Sequence, residues 1–376
     1  MNALGEIFKI SKGKKAIESS FETTLRYIQI GDLRNDDVMK YTTQSSTNVL
    51  CTKDDILIAW DGANAGTVGY NLEGVVGSTL AKLSPKKEGV HINYVGRFLQ
   101  SKFEYLRENC TGATIPHLSR PVLENLQIPL PPLEQQKKIA AILDAADAYR
   151  QKTKTLIAKY DELTQSLFLD MFGDVMKNPK QFPIKLLEEL CEEIIDCPHS
   201  TPNYVEYNTE FPCIRTTDLD NGAINWSKMK YLNYEGYIER TKRLVPKEGD
   251  IIYGREGSFG EAAIVPVGCK MSLGQRVMLF RPNSNLINSK FLHAVVRSNG
   301  VYKQALRVTS GSTVGHINVK DIKKFKLIVA PLGLQNQFAE RVQAIEVQKA
   351  HAQASLEKAE ELFASLLQKA FKGELV

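Results

Sequence analysis

Apolar positions follow two regimes along the chain, and the alternation between them occurs twice. Residues 1–132 and 177–331 carry short apolar runs broken by turn residues, such as DILIAW from Asp55, GTVGY from Gly66, DIIYG from Asp250 and KFKLIVA from Lys324. Runs of this length and spacing predict two strand-rich α/β globules. Each globule ends at a proline-marked junction, PLPPLEQQ from Pro129 and VAPLGLQNQ from Val329, where proline stops a strand and opens a helix.

Beyond each junction the spacing becomes helical. Over 133–176 the seam reads Ile139, Ile142, Ala146, Tyr149, Thr153, Leu156, Tyr160, Leu163 and Leu167, a three-four alternation. Over 332–376 it reads Phe338, Val342, Ile345, Lys349, Ala352, Leu356, Ala359, Phe363, Leu366 and Ala370, with one charged interruption at Lys349. Both segments end on a capping glycine, in MFGD and FKGEL. Two amphipathic helices of equal length bury their stripes most simply against each other. The expected fold class is therefore α/β: two strand-rich globules separated by two long helices that form an antiparallel coiled coil.

The two halves are also alike in letter. TGATIPHL (Thr111–Leu118) returns as SGSTVGHI (Ser310–Ile317), and the same offset of 199 carries Gln136 onto Gln335 and Ala140 onto Ala339. DILIAWDG from Asp55 matches DIIYGREG from Asp250, and IQIGDL from Ile28 corresponds to IRTTDL from Ile214. A duplicated unit with pseudo-twofold symmetry follows.

Composition narrows the classes. At 43% hydrophobic and 24% charged, without a run of eighteen apolar residues, the sequence fits neither a disordered nor a membrane-spanning chain. The start MNALGEIFKI lacks the plan of a secretory signal, so a cytoplasmic location is expected. Six cysteines stand in no metal or disulfide spacing. The net charge of +5 is uneven: residues 177–330 hold 22 Lys and Arg against 16 Asp and Glu, whereas residues 1–133 hold 15 against 14. The second globule thus has the balance of a polyanion-binding head.

The search for catalytic motifs returns no zinc-protease helix, nucleophile elbow or phosphate loop. GREGSFG from Gly254 and GANAGTVG from Gly62 read as turns. What stands out are polar loops at equivalent places: Thr111, Gly112 and Thr114 opposite Ser310, Gly311, Ser312 and Thr313, rich in donors suited to phosphate oxygens. His117 and His316 follow, as DNA contacts or as core histidines. Trp60, Asp61 and Asn64 stand opposite Arg255, Glu256 and Phe259, so the frame repeats while the tips diverge.

On the repeated TG[AS]T-x-x-H stretch, the PPLEQQKKIAAILD helix opening at Pro131 and the AFKGEL ending at Ala370, the chain resembles the specificity subunits of type I restriction-modification systems. The second junction departs at Gly333, Leu334 and Asn336. The resemblance covers nearly the whole chain and implies two target-recognition domains, 1–132 and 177–331, each followed by a long helix, 133–176 and 332–376. It implies a non-catalytic chain that binds double-stranded DNA with two methyltransferase subunits and, for cleavage, two motor-nuclease restriction subunits. S-adenosylmethionine, ATP and Mg2+ would belong to those partners, and no cofactor to this chain. A related type II specificity subunit and a coiled-coil scaffold that binds only proteins are the rival functions.

Candidate contacts follow from side-chain chemistry. Lys12, Lys14 and Lys15 form a basic loop suited to phosphates, and Arg34, Trp60 and Asn64 are candidate base contacts. In the second head Arg215, Arg255, Gln275 and Arg276 are the stronger base readers, since Arg and Gln make bidentate contacts to guanine and adenine.

Overall fold

The computed structural model describes residues 1–19, 25–112, 114–257, 260–309 and 316–375. The chain forms two compact units: unit 1 is residues 1–155 with 353–376, and unit 2 is residues 156–352.

Unit 1 is built on a four-stranded antiparallel sheet in the order Phe8–Lys12, Leu80–Pro85, Ile56–Ala59, Val68–Tyr70. All of Ile56–Ala59 is buried because both faces are covered. Ile56 and Ile58 enter the core with Tyr94, Val95, Phe98 and Leu99 of helix Ile92–Ser101, while Leu57 and Ala59 face Ile28 and Val76. Those last two residues belong to strands Leu25–Ile28 and Gly74–Val76, which pair in parallel in a second, five-stranded sheet.

Unit 2 repeats this plan. Its four-stranded sheet has the order Cys191–Asp196, Val277–Pro282, Ile251–Gly254, Ala262–Ile264. Strands Pro212–Ile214 and Ser272–Leu273 supply the parallel pair. Register makes the two sheets comparable residue by residue. Leu83 lies between Ile10 and Ile56, and Phe280 lies between Ile194 and Ile251. Lys12 is therefore equivalent to Asp196.

Gly77 and Gly274 occupy one position in this frame. Their N–H groups donate to Ile28 O at 2.9 Å and Ile214 O at 2.7 Å. A Cβ at either would sit 2.7 or 2.6 Å from that same carbonyl oxygen, so only glycine allows the approach.

The long helices run Leu133–Phe172 and Leu332–Lys372. Within unit 1 they pair antiparallel: the Arg150 guanidinium stacks 4.3 Å over Phe363, Lys154 pairs with Glu360, and Ile139, Ala140 and Leu143 share a core with Ala370. Unit 2 holds an antiparallel pair as well, with Phe168 and Phe172 packed on Phe338 and Lys349 paired with Asp161. The charged seam position of the second helix thus meets an acid from the first.

The second helix buries the expected seam. The first corrects it in part: Thr153 is buried and Ile139, Ala146, Tyr160 and Leu167 face inward, but Ile142, Tyr149, Leu156 and Leu163 are exposed. Leu143, Arg150, Ile157 and Thr164 take the intervening inward places. At every second position the inward place therefore falls one residue later than expected. At one of them the Arg150 guanidinium, stacked on the Phe363 ring, stands where an apolar side chain was expected.

Candidate nucleic-acid interface

At one end of the four-stranded sheet in unit 1, loops from distant parts of the sequence are held together by backbone bonds. Trp60 N donates to Thr79 O at 2.8 Å, Leu118 N to Trp60 O at 2.8 Å and Gly62 N to Pro116 O at 2.9 Å. Thr111 and His117 exchange bonds of 2.8 and 2.7 Å, which closes the TGATIPH tract into a loop. Gly13 N reaches Leu80 O at 2.8 Å and brings the KGKK segment alongside.

This weave places three charged side chains together. The Asp61 carboxylate accepts from His117 Nδ1 at 2.7 Å and pairs with Lys12 Nζ at 2.8 Å. Burial pushes the Asp61 pKa up, but the hydrogen bonds from Lys12 and His117 outweigh it and hold the carboxyl below its ordinary value. The His117 side chain stays 49% exposed, so it is a surface group braced by an acid and not a core histidine.

Unit 2 repeats the backbone with other side chains. Ile317 N donates to Arg255 O, and Arg255 N to Arg276 O, both at 3.1 Å. His316 Nδ1 lies 3.5 Å from the Glu256 carboxylate, the counterpart of the Asp61–His117 pair. Where unit 1 has Lys12 and Trp60, unit 2 has Asp196 and Arg255, and Arg255 Nε donates to Asp196 Oδ1 at 2.8 Å. The two positions have changed in concert. Asp196, His199, Arg255, Glu256, His316 and Lys320 line an open cleft of about 810 Å³.

Other candidates fall around these clusters. Lys14, Lys15, Thr111, Gly112 and Thr114 are exposed, with Gly112 at φ +95°. Arg34 donates to Asn64 Oδ1 at 2.6 Å on the surface of unit 1, and Trp60 packs partly into the core beneath. Gln275 donates to Thr201 Oγ1 at 3.0 Å, and exposed Arg276 stands 3.3 Å from Glu256. Phe259, Ser310, Gly311, Ser312 and Thr313 lie outside the described residues.

Two expected base readers have partners within the chain. Arg215 forms a fork on the fully buried Asp218, with bonds of 2.9 and 2.7 Å, and reaches Lys228 O at 2.7 Å. Arg255 spends its donors on Asp196 and on the His316 ring, and its side chain is 8% exposed. Arg255 braces its loop from inside, whereas the Arg215 side chain stays 25% exposed. The acids Asp61 and Glu256 were not among the expected DNA-binding residues, although DILIAWDG and DIIYGREG each carry an acid at the same place after the strand.

Among the described residues no helix is long and apolar enough to cross a membrane. The model of the type I restriction modification DNA specificity domain matches twice, over residues 1–163 and 187–360. The chain belongs to that family. This specificity subunit is 26% identical to the type I restriction enzyme MjaVIII specificity subunit of Methanocaldococcus jannaschii, over 91% of this chain and 85% of that one. It is 23% identical to the EcoBI specificity subunit of Escherichia coli, over 91% and 79%. Its fold is similar to the S subunit of a type I system from M. genitalium, with a TM-score of 0.62 at 16% identity, covering 98% of this chain and 95% of that one. The function is that of a DNA sequence-specificity subunit.

Proposed function

We propose that each unit reads one half of an asymmetric bipartite target in double-stranded DNA through its loop cluster. One observation carries this. The two clusters share a backbone weave and an acid–histidine pair, while the side chains around them differ, Lys12 and Trp60 against Asp196 and Arg255. A common frame with exchanged contents suits two readers of one kind of ligand that respond to different bases. Backbone phosphates supply affinity through Lys12, Lys14 and Lys15 in unit 1, and Arg276 serves as a base or phosphate contact in unit 2.

The long helices dock two methyltransferase subunits and set the number of unread base pairs between half-sites. Two motor-nuclease subunits join for cleavage, in the cytoplasm. S-adenosylmethionine, ATP and Mg2+ reside on those partners, and this chain contributes recognition without catalysis.

The test is a chimera in which residues 177–331 come from a relative of different specificity, expressed with its methyltransferase subunits, followed by mapping of methylated sites. One half of the target should change and the other stay. A change in both halves overturns the modular reading. Adding four residues to both helices, after Thr155 and after Ala352, extends each by about 6 Å. The spacer should then grow by one or two base pairs at ~3.4 Å each.

A further inference from the structure

Unit 2 carries a cationic surface that its loop cluster does not account for. Lys320, Lys323, Lys324 and Lys326 fall on helix Val319–Lys323, the residue after it and strand Lys326–Ile328. Three are exposed and Lys323 is half-buried; among the described residues none forms an ion pair. Gln304 ties the neighbouring helix Asn299–Val308 to the same strand, donating to Lys326 O at 2.9 Å and accepting from Lys326 N at 2.9 Å. That helix presents exposed Lys303 and Arg307 on either side of Gln304. Asp321 is the sole acid within residues 320–326. Lys320 also lines the cleft with Glu256 and His316, so the patch is continuous with the loop cluster.

The equivalent positions of unit 1 carry acids or neutral residues. At the offset of 199, Lys303, Arg307 and Lys323 correspond to Glu104, Glu108 and Glu124, and Lys326 to Gln127. The basic loop shows the reverse exchange: Lys12, Lys14 and Lys15 correspond to Asp196, Pro198 and His199. Stability does not explain the patch, because like charges three and four apart destabilise a helix.

We propose that the two units grip the DNA backbone from different elements, unit 1 through the Lys12–Lys15 loop and unit 2 through Lys320, Lys323, Lys324 and Lys326 flanked by Lys303 and Arg307. The inference rests on the DNA-reading role proposed above and adds where the phosphates lie.

The full chain, in complex with its methyltransferase subunits, is compared with two variants, K12Q/K14Q/K15Q and K320Q/K323Q/K324Q/K326Q, by DNA binding at stepped KCl concentrations. Each variant should lower the slope of log K against log salt by about 0.9 for every phosphate it leaves without a cation, and the two reductions should add when the variants are combined. Hydroxyl-radical protection should weaken over the half-site of the unit altered, as assigned by the chimera. An unchanged slope for the four-lysine variant, with an unchanged melting temperature, overturns the proposal. So does release of the methyltransferase subunits at an unchanged slope, which would make the patch a protein-binding surface. If the unaltered complex shows no preference for any DNA site, the reading role itself fails.

Discussion

The Gln136 amide accepts from His91 N at 3.0 Å and donates to Pro131 O at 2.8 Å and Gly89 O at 3.0 Å. Gln335 repeats this with Asn288 N at 2.8 Å and Ala330 O at 2.7 Å, and both side chains are buried. The glutamine of the junction motif therefore pins the start of each long helix to its globule. Gln335→Leu should leave Asn288 N–H and Ala330 C=O buried without partners, at a cost of about 1–3 kcal/mol. A lower urea midpoint at unchanged slope would register it. His293 acts through protonation. Its ring hydrogen-bonds Ala262 O at 3.0 Å, and burial drives its pKa down from 6.5 to about 4. As pH falls the unfolded chain takes this proton first, so the stability is complete above pH 6.5 and is lost towards pH 4. The full loss is about 3 kcal/mol. The stability of the wild type should fall more between pH 7 and 5 than that of His293→Gln, which keeps a donor for Ala262. Residue type identified Arg215 and Arg255 as donors but not what receives their bonds. The Asp196 that engages Arg255 is far away in sequence, and only the sheet register brings it near.

At the scale of elements, the strands DILIA and DIIYG, the junctions and both helices were legible, because period and proline are local signals. The inward face of the first helix was legible only at alternate positions, since neighbours such as Tyr149 and Arg150 are separated by packing and not by polarity. Phe363→Ala should cost about 3–5 kcal/mol by opening the unit 1 core beneath Arg150, measured by chemical denaturation. Ile142→Ala in unit 1 and Leu163→Ala in unit 2 should each change stability by only about 0.5 kcal/mol, as for surface positions. Each should weaken retention of methyltransferase subunits in a pull-down. A large stability loss from either would reverse the assignment of the exposed face.

For the whole molecule, the offset of 199 exposed the duplication, and the four-stranded sheets repeat it to the order of their strands, as do Gly77 and Gly274. The parallel strand pairs had no local signature, since each joins segments distant in sequence. Each compact unit takes part of both long helices, and unit 1 is completed by residues 353–376. Phe371 of that segment packs 5.5 Å from Tyr94 and 5.1 Å from Phe98. Synthesis therefore meets the units in an inverted order. All of residues 156–352 are made before Phe363, Ala370 or Phe371, so the earlier-made unit 1 receives part of its core last. During that interval Tyr94 and Phe98 lack their aromatic cover and are natural targets for chaperones. Released chains truncated after residue 352 should resist protease over unit 2 and be cut within the first 155 residues.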